Sequence, residues 1–211
     1  MVTRHQYIDK YEISSDSRKL IIGTIHPHDH ENFKVPFFYG SKMSIWNLLN
    51  KGFNNEMGDI ISLESIKAFL SNHKIAISDT IRVCERINPT ALDQDLRPIE
   101  LNMQLVEQIK NSNIEEILFT RGFGKNNAFR LFYVDILGLR ITPEIRRNRE
   151  LVLNGNVFGR PVKLTILYSP SGASNVGISK SKMYMENQQN YSSSPTPVYD
   201  FKIDYYRNKF K

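Results

Sequence analysis

Four short stretches carry the side chains that could do chemistry. The densest is His26-Pro27-His28-Asp29-His30, with three imidazoles and a carboxylate within five residues. Imidazole and carboxylate are zinc ligands, so metal binding is one reading. After His30 the only histidine is His73, which leaves such a ligand set incomplete. The second reading is catalytic: an imidazole or carboxylate can orient a water or stabilise positive charge at a sugar carbon. The third is a solvated polar loop. The residues alone leave these three open.

Pro36-Phe37-Phe38-Tyr39-Gly40 sets three aromatics before a glycine. Phe37 suits the core, whereas Phe38 and Tyr39 offer flat surfaces on which a planar ring can stack. Thr120-Arg121-Gly122-Phe123-Gly124-Lys125 has glycines and a lysine where a strand meets a helix, but not at the spacing of a nucleotide-hydrolase loop. A tight strand–helix turn accounts for it. Ser169-Pro170-Ser171-Gly172-Ala173-Ser174-Asn175 offers small hydroxyl groups and backbone amides suited to phosphate oxygens. A plain serine-rich loop has the same composition.

These stretches need elements to position them. Apolar runs predict strands over 19–23, 75–77, 116–120 and 162–168. Apolar spacing predicts helices over 44–50, 62–70, 100–110 and 125–134, with Ile66, Ala68 and Phe69 among the core candidates. Residues 79–96 read as a polar loop. Alternating strands and helices predict an α/β fold with a mainly parallel four-stranded sheet. Ligands of such folds bind beyond the carboxyl ends of the strands, where all four stretches fall. Residues 1–178 are expected to form this domain. Residues 179–197, rich in Ser, Asn, Gln and Lys, read as flexible, and a short helix over 200–210 completes the same domain.

The 211 residues suit one domain, and 40% hydrophobic with 24% charged residues is a soluble composition. No apolar run reaches membrane-spanning length. The start, Met1 to Tyr7, lacks a signal-peptide core, and Cys84 is the single cysteine, so a cytoplasmic location is expected. A net charge of +6 and a pI of about 9.3 favour polyanionic partners.

Three segments, in order, resemble the uracil-DNA glycosylase superfamily, most closely its mismatch-specific and hypoxanthine-DNA glycosylase-like branch. The first is Leu20-Ile21-Ile22-Gly23-Thr24 with Phe37-Phe38-Tyr39-Gly40 and Ser44-Ile45-Trp46. The second is Ala76-Ile77-Ser78-Asp79-Thr80-Ile81, then Cys84-Glu85-Arg86 and Ala91-Leu92-Asp93. The third runs from Leu167 to Asn175. The resemblance implies a three-layer α/β/α sandwich. It also implies a monomer that flips a base from DNA and hydrolyses its N-glycosidic bond without metal or other cofactor.

The chain departs from that family where the water is usually positioned. Gly23-Thr24-Ile25-His26-Pro27 has one residue more than the family motif and no acid or amide before its proline. Residues 42–46 lack the branch's asparagine, and Tyr168 replaces a proline before Ser169. His26, His28 and Asp29 are the expected substitutes at the reaction centre. Phe38 and Tyr39 are expected to meet the base, and Ser169, Ser171, Ser174 and Asn175 to contact DNA. A deaminated or modified base is the expected substrate. The alternatives are a catalytically silent DNA-binding module on the same fold, or a metal-dependent hydrolase built on His26–His30.

Overall fold

The computed structural model describes residues 1–88 and 92–211. Ala91, part of the second family-like segment, lies outside the described residues. Strand β1 is Val2–Arg4 and β2 is Lys19–Gly23. Helices α1 (Ser44–Gly52) and α2 (Leu63–Asn72) precede β3 (Ile75–Asp79), β4 (Ile81–Arg86) and β5 (Leu96–Leu101). Next come α3 (Gln104–Lys110), β6 (Glu116–Phe119) and the short α4 (Ala128–Arg130), which runs into a π-helical turn, Leu131–Ile136. Then follow α5 (Pro143–Asn148), β7 (Glu150–Leu153), α6 (Gly155–Phe158) and β8 (Val162–Ile166). Helices α7 (Asn175–Ser179), α8 (Lys182–Asn187) and α9 (Pro197–Phe210) end the chain.

The main sheet has five strands in the order β3-β2-β6-β8-β7, all parallel except β7. It therefore has one strand more than expected. Glu150-Leu151-Val152-Leu153 is short and antiparallel, and Val152 faces solvent, so it lacks the fully apolar run of a buried parallel strand. Successive side chains alternate between the two faces. Ile21, Ile77 and Leu118 pack with residues of α1, α2 and α9 in one core. Leu20, Ile22, Ile117 and Phe119 pack with residues of α3, α4 and α6 in the other. Helices thus cover both faces of the sheet. Ser62 caps α2 reciprocally with Ser65, an arrangement worth about 1 kcal/mol.

A second, antiparallel sheet, β1-β4-β5, occupies part of the region expected to be loop. Leu101 and Glu100 pair with Ile81 and Val83, so α3 starts four residues later than its apolar spacing suggests. Asn126 adopts φ 60°, which delays α4 to Ala128. Ala68 is exposed and Leu70 takes its expected place in the core. Part of the stretch read as flexible is helical, and Phe201, Tyr205, Tyr206 and Phe210 of α9 lie in the first core. Among the described residues no helix is long and apolar enough to cross a membrane.

Candidate functional site

The parallel strands end at one edge of the sheet, and their last residues form a buried polar cluster. Gly23 closes β2 and is the register partner of Asp79, which closes β3. Thr120 follows β6 in the neighbouring strand. A Cβ built on Gly23 would collide with Tyr39 Oη and Asp79 Oδ1. Glycine therefore lets these two oxygens close over the strand end. Tyr39 Oη lies 2.6 Å from Thr120 Oγ1, and burial raises the phenol's pKa.

Asp79 is 4% exposed. Its Oδ2 accepts a 2.7 Å hydrogen bond from His5 Nε2. Its Oδ1 is buried and, among the described residues, makes no hydrogen bond of ordinary geometry, although the Gly23 backbone lies against the carboxyl and pulls its pKa down. Burial pushes this carboxyl above the usual carboxylate range, and the His5 hydrogen bond only partly opposes that. The backbone fixes the His5 tautomer. Nδ1 accepts from the amides of Tyr7 and Ile8 at 3.0 and 3.2 Å, so the ring proton sits on Nε2 and points at Asp79.

Asp93 is the second carboxylate of the cluster. Burial, with a smaller contribution from the Asp79 charge, raises it to about 6, against the pull of Arg121 and a hydrogen bond from Thr24. Arg121 Nε is 3.6 Å from Asp93 Oδ2. Asn127, with its amide turned to satisfy both ends, donates to the same oxygen at 3.0 Å. Asn126 donates to the carbonyls of Asp93 and Leu96 at 2.9 and 2.6 Å and pins this segment. Two carboxylates in different environments are the arrangement that lets one group hold a proton while the other is ionised.

The residues expected from the sequence fall in several places. His26 is buried, and both ring nitrogens are engaged. Nε2 accepts from the Gln6 amide at 3.0 Å, and Nδ1 donates to the Pro27 carbonyl at 2.6 Å. Burial depresses its pKa to about 3. The imidazole is therefore neutral, with both nitrogens hydrogen-bonded to the backbone. His28 and Asp29 are exposed and line a groove of about 490 Å³ with Thr3, Arg4 and Gln6 of the N-terminal segment. His28 Nδ1 lies 3.0 Å from Thr3 Oγ1, and His30 Nδ1 lies 3.1 Å from the His28 carbonyl. The His26 and His30 rings pack at 5.2 Å, and His28, Asp29 and His30 line one groove, but among the described residues no three ligating side chains are placed to hold a metal ion.

Phe38 is 1% exposed, with His5 and Tyr7 packed on it at ring-centroid distances of 5.3 and 5.6 Å. Trp46 Nε1 donates to its carbonyl. Tyr39 is half-buried and borders the carboxylate cluster. Ser169 and Ser171 are half-buried, with hydroxyl oxygens 3.1 Å apart. Ser174 Oγ donates to the carbonyls of Ser169 and Ser171, and Asn175 Oδ1 accepts from Lys202.

Beside this loop, cations and aromatics alternate. Arg149 lies over the rings of Tyr168 and Phe123 at 4.8 and 5.9 Å, and Arg146 lies over Phe123 at 5.2 Å. Arg149 also donates to the carbonyls of Ile166 and Leu167, which ties α5 to the end of β8. His5, Arg149 and Lys202 have no motif around them in the sequence. Asp79 and Asp93 do, but only as members of the family-like series.

No family model matches the chain, and no curated protein matches it. Its structure is similar to the solution NMR structure of a protein described as a putative uracil DNA glycosylase from Methanosarcina acetivorans. The two are 16% identical with a TM-score of 0.50, covering 98% of this chain and 99% of the other. The chains share a fold over essentially their whole lengths.

Proposed function

We propose that this chain is a DNA glycosylase-like hydrolase that draws one deaminated or modified base out of DNA and cleaves its N-glycosidic bond. The observation that carries the reading is Asp79 Oδ1, a buried carboxyl oxygen at the carboxyl end of β3 that makes no hydrogen bond of ordinary geometry among the described residues. A buried polar atom left unpaired is costly in a folded chain, and a ligand or reacting group that fills it explains its retention.

The chemistry asks for three things. The sugar gains oxocarbenium character as the bond breaks, the leaving base accepts electrons, and a water attacks C1′. Asp93, ionised near neutral pH, supports the cation and takes the proton of the attacking water. The water oxygen bonds to C1′ as the C1′–N bond breaks. Asp79, which holds its proton to higher pH than an ordinary carboxyl, hydrogen-bonds the departing base and supplies its proton.

Tyr39 is the aromatic that a base reaches first, since His5 covers Phe38. Stacking on Phe38 requires His5 to withdraw. Flipping costs a few kcal/mol. Phosphate contacts from Ser169 and Ser171 and the cations of α5 offset it. His28 and Asp29 line the outer groove, within reach of the strand beside the flipped nucleotide. The protein acts as a monomer in this reading.

The closed packing of His5 on Phe38 favours a second reading, a silent DNA-binding module. The test is incubation of pure protein with duplexes carrying uracil, hypoxanthine, xanthine and modified cytosines, followed by alkali. Strand breakage at a lesion supports the hydrolase. Salt-sensitive binding without breakage on any of them leaves the silent module.

A further inference from the structure

Arg121 directly follows Thr120, whose hydroxyl lies 2.6 Å from Tyr39 Oη just beyond the end of β6. Its carbonyl accepts from the Phe129 amide at 3.1 Å, so the backbone that carries the side chain is tied to α4. The side chain is 39% exposed and reaches inward to Asp93, which is 12% exposed, with Nε 3.6 Å from Oδ2. The guanidinium therefore stands at the mouth of the buried carboxylate cluster. The charges of Asp79, Asp93 and Arg121 all act on the Tyr39 phenol, so the four groups share one neighbourhood.

An arginine has five N–H donors and no acceptor. Among the described residues none of these donors on Arg121 makes a hydrogen bond, and the Nε contact with Asp93 is its only ion pair. Asp93 Oδ2 already accepts from Asn127 at 3.0 Å, with that amide turned as above. The outer nitrogens of the guanidinium are left to meet a ligand that enters beside Tyr39.

Deamination replaces an exocyclic amine, which donates, with a carbonyl oxygen, which accepts. A side chain that can only donate suits the second and opposes the first. We propose that Arg121 is a specificity-determining residue that donates to the carbonyl oxygen set by deamination in place of the exocyclic amine. The proposal rests on the glycosylase reading above and names what the site reads on a base stacked against Tyr39. As the C1′–N bond breaks, its electron pair passes to the base, and the guanidinium stabilises the share of that charge that reaches the carbonyl oxygen. A parent base turns an N–H toward the guanidinium instead, and two donors face each other.

The test needs no catalysis. Binding of free uracil, cytosine, hypoxanthine and adenine is followed by NMR on the full chain as wild type, Arg121→Lys and Arg121→Gln. Lysine keeps a pure donor, whereas a glutamine amide can turn to donate or to accept. Wild type should prefer uracil to cytosine and hypoxanthine to adenine by about tenfold, the scale of one charged hydrogen bond. Arg121→Lys should keep the preference, and Arg121→Gln should bind the members of each pair within about twofold of each other. A merely structural arginine would move all four affinities together and leave the ratios alone. No preference or no binding in wild type, a preference lost in Arg121→Lys, or a preference kept in Arg121→Gln overturns the proposal. Excision from lesion-bearing duplexes by the same proteins reports separately on the glycosylase reading. An abasic product with base ratios unmoved by the variants sinks the role of Arg121 alone, and selective base binding without an abasic product sinks hydrolysis alone.

Discussion

His5 and Asp79 are joined by a 2.7 Å hydrogen bond across 74 residues of sequence, and both side chains are almost wholly buried. The backbone amides of Tyr7 and Ile8 hold the His5 proton on the nitrogen that faces the carboxylate. One Asp79 oxygen is thereby fixed, and the other is buried without a hydrogen bond of ordinary geometry among the described residues. His5→Phe keeps a ring and removes both nitrogens. Two amides and one carboxylate oxygen lose their partners, so urea unfolding should show a loss of about 2–4 kcal/mol. A loss within about 0.5 kcal/mol, the range of ordinary surface substitutions, would contradict this geometry.

Asp79→Asn separates stability from function. The amide oxygen still accepts from His5, and a desolvated carboxyl is removed. Because the folded-state pKa is raised, the folded protein holds the proton that the unfolded chain has released, and stability is lost as pH rises through that window. At pH 8 the variant should therefore be more stable, by about 1 kcal/mol, the usual scale for relieving a strained functional group. A purely structural aspartate would give the opposite sign in thermal melts.

Asp93 sets a pH dependence. Its carboxyl is raised to about 6, so it is ionised above that pH and protonated below it. Excision that needs the carboxylate should fall as pH drops through about 6. Asp93→Asn should remove that limb along with most of the rate. A profile flat from pH 5 to 8 in wild type would count against Asp93 as the group that receives the water proton.

Gly23→Ala addresses the convergence of Tyr39 and Asp79. The added methyl has no space beside the two oxygens, and either Tyr39 or Asp79 must shift. Overpacking of this kind costs about 1–3 kcal/mol. The loss should appear both in denaturant midpoints and in any activity of the site. An unchanged midpoint would show that Tyr39 and Asp79 do not close over Gly23.

The four parallel strands were legible because each is a largely buried apolar run, as Leu20-Ile21-Ile22 illustrates. The second sheet was not. Leu96-Arg97-Pro98-Ile99-Glu100-Leu101 is an edge strand that carries charges and a proline, and its pairing with β4 overrides the helical spacing of Leu101 with Leu105. Residues 182–191 look disordered by composition, yet Tyr184 docks on Phe201 at 5.3 Å. The His26–His30 loop was legible because its groups are neighbours in sequence, and its His26 ring packs on His5 at 4.8 Å. Asp79 is joined to His5, and Lys202 to Ser174, through long-range contacts that leave no local pattern.

The most direct test of the account is single-turnover excision from duplexes carrying deaminated bases by wild type and Asp79→Asn, with binding to the same duplexes measured alongside. The account predicts an abasic product with wild type, a rate lowered by about 10²–10⁴-fold in the variant, and DNA affinity nearly unchanged. Excision by the variant at the wild-type rate would contradict it.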